Sequence, residues 1–155
     1  RYQRLPRRSH AIDVALAAVI EVRGGGPALL IARRRDDAVL AGFWELPGGK
    51  VERHETPAQC AVREAREELG IDVVVQEARP TIEHGYDHAH VRLHPFICKR
   101  LACEPANHQV VEHRWAPADV LPSYRFPPAN AGLMRDLAAR LNALQSDLQR
   151  GKATT

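Results

Sequence analysis

Glu64, Glu67 and Glu68 stand at i, i+3 and i+4 of a run of good helix formers, so a helix there carries three carboxylates on one face. Like charges at those spacings destabilise a helix by about a few tenths of a kcal/mol per pair. Such a stripe calls for a compensating cation. Carboxylates and water are hard oxygen ligands, which suit Mg²⁺ or Mn²⁺ and not Zn²⁺. Without metal, crowding should raise the pKa values of the group and make it titrate as a unit. Arg63 lies one turn from Glu67 and can hold its carboxylate, and Glu55 adds an acid just upstream. The same residues also fit a solvated acidic helix face with i,i+4 pairs, and the surrounding chain has to decide between the two readings.

That chain reads as a device for placing the carboxylates. Thr56-Pro57-Ala58-Gln59 has a capping residue, a proline suited to the first helical position, and a glutamine able to return a bond to the cap. Ala58, Ala61, Ala65 and Leu69 form a neighbouring apolar face that can pack on a sheet, and Gly70 fits a helix stop. Upstream, Leu46-Pro47-Gly48-Gly49 has two glycines that let backbone approach a metal or phosphate.

From Gly49 to Ile71 the spacing is G-x5-E-x7-R-E-U-x-E-E-x-G-U, where U is aliphatic, with Gly49, Glu55, Arg63, Glu64, Glu67, Glu68 and Gly70 filling the fixed positions. This resembles the Nudix box. The resemblance implies a hydrolase of nucleoside diphosphates linked to another group, using Mg²⁺ or Mn²⁺. It implies catalytic roles for Glu55, Arg63, Glu64, Glu67 and Glu68, and metal ligation by Glu64, Glu67, Glu68 and the Gly48 carbonyl. His54 stands where many members have glycine, which predicts a local change of turn geometry without loss of activity.

Two further segments resemble the MutT branch of that family, which degrades 8-oxo-dGTP. The run from Arg33-Arg34-Arg35-Asp36-Asp37 to Phe43-Trp44-Glu45-Leu46-Pro47 enters the box with similar length. Phe126-Pro127-Pro128-Ala129-Asn130 matches a segment whose asparagine reads a purine edge. An amide can bond such an edge bidentately, but Asn130 could equally just cap the final helix. Arg34 aligns with a phosphate-contacting arginine, and Arg33 is its neighbour. Adjacent strand residues face opposite ways, so only one of the two should reach phosphate, with Arg34 preferred. Glu45 matches a glutamate of supporting role. The branch also places a glutamate before a tryptophan like Trp115. The strict match is Gln109, so Glu112, with Glu104 as the other nearby acid, is the candidate for that metal-assisting position. His84, His88, His90 and His94 should line the base pocket or the surface and do not form a zinc site.

Composition narrows the remaining choices. The 155 residues are 45% hydrophobic and 26% charged, as in ordinary globular proteins. The formal charge of +3 comes from the tail: Arg1, Arg4, Arg7 and Arg8 supply four of 22 basic residues, leaving 18 against 19 acidic ones. Nucleic acid is therefore an improbable partner, and a small nucleotide is the expected one. No apolar run would span a membrane, and Cys60, Cys98 and Cys103 lack zinc or disulfide spacing. A cytoplasmic protein is expected. The start at Arg1 is compatible with a module taken from a longer chain, and the sequence is silent on oligomeric state.

The predicted organisation is a basic arm over 1–10, one Nudix domain over 11–149 and a frayed end over 150–155. Strands are expected at 12–22, 27–33, 43–46, 72–77, 81–83, 90–101 and 110–115. A helix is expected over 127–149, with Leu133, Leu137, Leu141, Leu144 and Leu148 as its core stripe. The fold class is α+β, a mixed curved sheet between helices, as in the α/β/α sandwich the resemblance implies. The expected function is Mg²⁺-dependent pyrophosphohydrolysis of a nucleoside triphosphate, foremost 8-oxo-dGTP, in a DNA-repair role. Alternatives are another nucleotide substrate (a pyrimidine triphosphate, or a nucleoside diphosphate linked to sugar or nucleoside) and a silent nucleotide-sensing module.

Overall fold

A computed structural model describes residues 11–35, 41–86 and 89–151. The basic arm, Asp36, Asp37 and His88 lie outside the described residues. The elements run β1 (Ile12–Arg23), β2 (Gly26–Arg33), β3 (Trp44–Glu45), β4 (Gly48–Lys50), α1 (Pro57–Leu69), β5 (Asp72–Ala78), β6 (Ile82–Tyr86), β7 (Ala89–Ala102), β8 (Glu112–Ala116) and α2 (Ala131–Gln149). The strand order is β3-β2-β1-β7-β5, with β4 on β1, β6 on β7 and β8 on β2. Only β1 and β7 pair in parallel, so the sheet is mixed.

The apolar pattern of the central strands explains the two helices. Residues 15–19 and 28–32 are buried without interruption, as strands are when both faces are covered. Alternation then divides them. Ala15, Ala17, Leu30 and Ala32 meet Cys60, Ala61, Ala65 and Leu69 of α1. Leu16, Ala18, Leu29 and Ile31 meet Leu133, Met134, Leu137 and Leu141 of α2. The result is the expected α/β/α sandwich. On the α1 side, Ala15, Ala17 and Ala32 of the sheet pack with Ala61 and Ala65 of the helix.

Several expected boundaries move. Gly24 and Gly25 alone make the β1–β2 turn, with φ of +63° and +101°, while Gly26 opens β2. Positive φ at both turn positions matches the strand twist and favours glycine. The glycine loop is in fact a strand, β4, with Gly49 opposite Ala15 and Gly48 opposite Leu16. Glycine is depleted in strands, so propensity hides this pairing. The last helix starts later than 127, because a 3₁₀ turn over Pro128–Asn130 precedes it. Leu133, Leu137 and Leu141 are buried as expected, but Leu144 and Leu148 are only half-buried. Among the described residues, no helix is long and apolar enough to cross a membrane.

Candidate active site

Both ends of α1 are fixed. The Thr56 hydroxyl accepts from the Gln59 N–H at 3.1 Å, and the Thr56 N–H donates to Gln59 Oε1 at 2.9 Å, completing the capping box. At the far end Gly70 turns with φ of +67° and donates to the Arg66 carbonyl. The chain between β7 and β8 then supplies donors to the last carbonyls of the helix. Ala106 N–H bonds Leu69 O at 2.9 Å, and the N–H groups of His108 and Gln109 both bond Glu68 O. These are backbone contacts, so no residue type in the sequence announces them.

The side chains form a gradient of burial. Glu68 is 9% exposed, whereas the side chains of Glu64 and Glu67 are 13% and 44% exposed. Burial, then the charges of Glu45 and Glu64, push the Glu68 carboxyl up to about 9. Burial also raises Glu64, against the opposing pull of Arg63. Arg63 is the resident cation of the cluster. Its Nη1 donates to Glu64 at 2.9 Å and Glu67 at 3.0 Å, and its Nε and Nη2 hold Glu55 at 3.0 and 2.7 Å. The expected bond to Glu67 is thus one of several. Bonding to Arg63 is also what holds Glu55 down at about 2, against a smaller opposing effect of burial.

β4 lies against this cluster. A Cβ on Gly49 would sit 2.6 Å from the Glu64 carboxyl carbon, and one on Gly48 would sit 2.2 Å from the Ala15 carbonyl oxygen. Close approach to backbone therefore requires glycine at 48, whereas a methyl at 49 would force the Glu64 side chain to move. The Gly48 N–H donates to Glu68 at 3.4 Å. Buried Cys60 donates its thiol to the Gly49 and Lys50 carbonyls at 3.4 Å each, which makes it part of the packing under β4.

A cavity of about 320 Å³ opens beside β4. Arg34, Glu45, Gly48, Gly49, Lys50 and Glu68 form its polar side. Val14, Leu16, Val91 and Leu93 from the sheet, with Pro127 and Ala129, form its apolar side, where His84 and Asn130 are the polar groups. Arg34 Nη1 donates to Glu45 Oε2 at 2.8 Å, and Arg34 Nε is buried with no hydrogen-bond partner among the described residues. Burial raises Glu45, and Arg34 opposes the rise. Next to Glu45, the Trp44 backbone N–H bonds Arg125 O at 2.8 Å, and the Trp44 ring meets Tyr124 edge-on with centroids 4.7 Å apart. These contacts lead the chain to Asn130.

Asn130 occupies the N-cap position of α2 but makes no capping bond; its backbone is already helical, at φ −93° and ψ −4°. It is 7% exposed and lines the cavity, so capping alone does not account for it. Arg33 lies elsewhere. Register puts Arg33, Trp44 and Glu112 together on the face of β2 opposite Arg34, and Arg33 Nε bonds Glu112 at 2.9 Å. Neither Arg33 nor Glu112 lines the cavity with Arg34 and Glu68. Glu104 pairs with Arg23 and Arg100, and Gln109 meets α1 through its backbone.

Among the described residues, His84, His90 and His94 do not gather. His84 lines the cavity, while His94 bonds Asp13 at 2.8 Å and His90 approaches Glu83 at 3.7 Å on the opposite face. Cys60, Cys98 and Cys103 are unpaired.

The donor chemistry of α1 and β4, carboxylates and backbone carbonyls, fits a hard divalent cation. Among the described residues no three acidic, histidine or cysteine side chains already stand arranged to hold one. Arg63 Nη1 bonds one oxygen of Glu64 and one of Glu67, so Arg63 and a cation would share these two carboxylates.

Comparison with known proteins agrees with this geometry. Residues 17–136 match the family model of the NUDIX domain. An 8-oxo-dGTP diphosphatase of Escherichia coli (strain K12) is 33% identical over 120 residues, covering 77% of this chain and 93% of its own. A CTP pyrophosphohydrolase of the same organism is 31% identical over 132 residues, covering 85% and 96%. The solution structure of the E. coli ORF135 protein superposes with a TM-score of 0.68 at 29% identity, covering 83% of this chain and 91% of that one. The box on α1, the glycine strand beside it and the sandwich that joins them place this chain in the Nudix hydrolase family, among its MutT-like members.

Proposed function

We propose that the protein is a Mg²⁺-dependent nucleoside triphosphate pyrophosphohydrolase that prefers 8-oxo-dGTP, releasing the monophosphate and pyrophosphate. The observation that carries the preference is Asn130, a buried amide facing a cavity and not spent on the helix cap. Such an amide can donate and accept at once along a purine edge. The 8-oxo-dGTP diphosphatase relative supports the same reading.

Glu64, Glu67, Glu68 and the Gly48 carbonyl would hold the metal. When bound, Mg²⁺ or Mn²⁺ would screen phosphate charge and acidify the attacking water. Arg34 would meet the phosphates from the polar side of the cavity. Glu55, Glu64 and Glu112 are the candidate carboxylates to take the proton; Glu112 faces Arg33 away from the cavity, and Arg63 holds both oxygens of Glu55. Glu64 remains: it stands against β4, and Arg63 bonds one of its oxygens. Unpaired buried cysteines suit the cytoplasm, where a nucleotide-sanitising role in DNA repair would be served.

The CTP pyrophosphohydrolase relative favours a second reading, a pyrimidine triphosphate as substrate. The purified protein with Mg²⁺ should be given 8-oxo-dGTP, dGTP, CTP, dCTP and ADP-ribose, with products identified by phosphorus NMR. The proposal expects monophosphate plus pyrophosphate, and the highest kcat/KM on 8-oxo-dGTP. Preference for CTP would shift the assignment to the second reading. Binding without turnover would make the domain a nucleotide sensor, against its complete set of box carboxylates.

A further inference from the structure

Glu45 poses an electrostatic puzzle. It is a partly buried carboxylate lining the polar side of a cavity proposed for polyphosphate, where a negative charge repels the ligand. Its placement is nonetheless well defined. Glu45 pairs with Ala32 across β3 and β2, and alternation puts it on the same face as Arg34. Arg34 is tied down twice: its backbone N–H bonds Phe43 O at 2.9 Å, and Nη1 bonds Glu45 at 2.8 Å. What this leaves is a buried donor, Arg34 Nε, with no hydrogen-bond partner among the described residues. A buried guanidinium N–H without an acceptor is costly, the more so for a charged group, and calls for an explanation.

We infer that Glu45 is a positioning residue that holds Arg34 as a preformed seat for a polyphosphate oxygen. The inference rests on the reading of this cavity as a nucleotide phosphate site. An untethered arginine has several rotatable bonds, and freezing them on binding costs rotamer entropy. The Glu45 bond meets that cost during folding and leaves the remaining guanidinium donors for an anion. Its negative charge is tolerated because Arg34 neutralises it at hydrogen-bond distance.

Charge and positioning predict opposite signs for one substitution. If Glu45 acts only through its field, Glu45→Gln removes a repulsive charge and should tighten anion binding. If it positions Arg34, Glu45→Gln loses a charge-assisted bond and should weaken binding. Inorganic tripolyphosphate titrated calorimetrically into the metal-free protein reads this directly, without turnover. The expected result is about five- to tenfold weaker binding in Glu45→Gln, with an unchanged melting temperature, and an intermediate loss in Glu45→Asp. In an Arg34→Met background, Glu45→Gln should cause no further weakening, since its effect passes through Arg34. With Mg²⁺ and nucleotide, Glu45→Gln should raise KM more than it lowers kcat. Equal or tighter tripolyphosphate binding in Glu45→Gln, an undiminished effect without Arg34, or no binding by the wild type would each overturn the inference. Absence of nucleoside triphosphate turnover by the wild type would instead overturn the reading on which it rests.

Discussion

The α1–β4 cluster and the apolar wall of the cavity are built from the chain in different ways. The cluster draws on one stretch, Gly48 to Glu68, and its contacts are charged, short and mutually dependent. Arg63 alone bonds Glu55, Glu64 and Glu67. The wall draws on β1, β6, β7 and the Pro127–Asn130 turn, and is mostly aliphatic. A substitution in the cluster disturbs several ionic partners at once, whereas one in the wall changes a single contact with whatever is bound. Chemistry held in a contiguous segment can stay fixed while a wall of separate segments varies, which explains how one fold carries many nucleotide specificities.

This contrast can be broken by substitution. The largest effect is expected for Glu64→Gln, which keeps the volume of the side chain but removes its charge and basicity. It should lower kcat by about 10²–10⁴-fold on every substrate while far-ultraviolet circular dichroism stays unchanged. A rate within a factor of about three of wild type would remove Glu64 from the chemistry.

Gly49→Ala comes next. The added methyl would meet the Glu64 carboxyl at 2.6 Å and displace it, so kcat should fall by up to about 10²-fold. The ranking of substrates should stay as in the wild type, because the wall is untouched.

The pH dependence of stability sharpens the account of the buried acid. Glu68 titrates at about 9 when folded against 4.5 as its reference, so the folded chain keeps a proton there that the unfolded chain has lost. Stability of the metal-free protein should therefore fall as pH rises from about 5 to 9. Glu55, lowered to about 2, contributes stability that is present above 4.5 and is lost only as pH falls below it. The two windows do not overlap. Urea unfolding across pH should show the upper slope in wild type and a shallower one in Glu68→Gln, since Glu64 and Glu45 are raised as well. Mg²⁺ should reverse the slope, since binding needs the ionised carboxylates and releases protons.

The smallest effect belongs to Thr56→Ala. It should cost about 1 kcal/mol of stability by removing the cap, with substrate ranking unaltered.

The cluster was the more legible region for the same reason that it is contiguous. Cap, glycine stop and carboxylate spacing all lie within helical reach of each other, and Glu64, Glu67, Glu68 and Arg63 can be placed from periodicity alone. Central strands were legible through uninterrupted apolar runs. What escaped is set by distant pairing. Nothing local shows that Gly48 and Gly49 pair with β1, since a glycine strand has no propensity signal. Nothing local shows that His108 and Gln109 clamp the Glu68 carbonyl. Asn130 could be read as a cap because asparagine favours that position, and nothing local shows the 3₁₀ turn over Pro128–Asn130 that leaves its backbone helical. Glu112 looked available beside Trp115, but strand alternation turns it toward Arg33.

The central claim is that α1 and β4 set the rate while Asn130 sets the choice of base. The most direct test is the ratio of kcat/KM for 8-oxo-dGTP over CTP in wild type, Glu64→Gln and Asn130→Ala. The account predicts that Glu64→Gln lowers both values and leaves the ratio nearly constant. Asn130→Ala should lower the ratio about 10- to 100-fold while CTP turnover stays within a factor of about two, the loss of one bidentate base contact. An unchanged ratio in Asn130→Ala, or a ratio altered by Glu64→Gln as strongly as by Asn130→Ala, would contradict it.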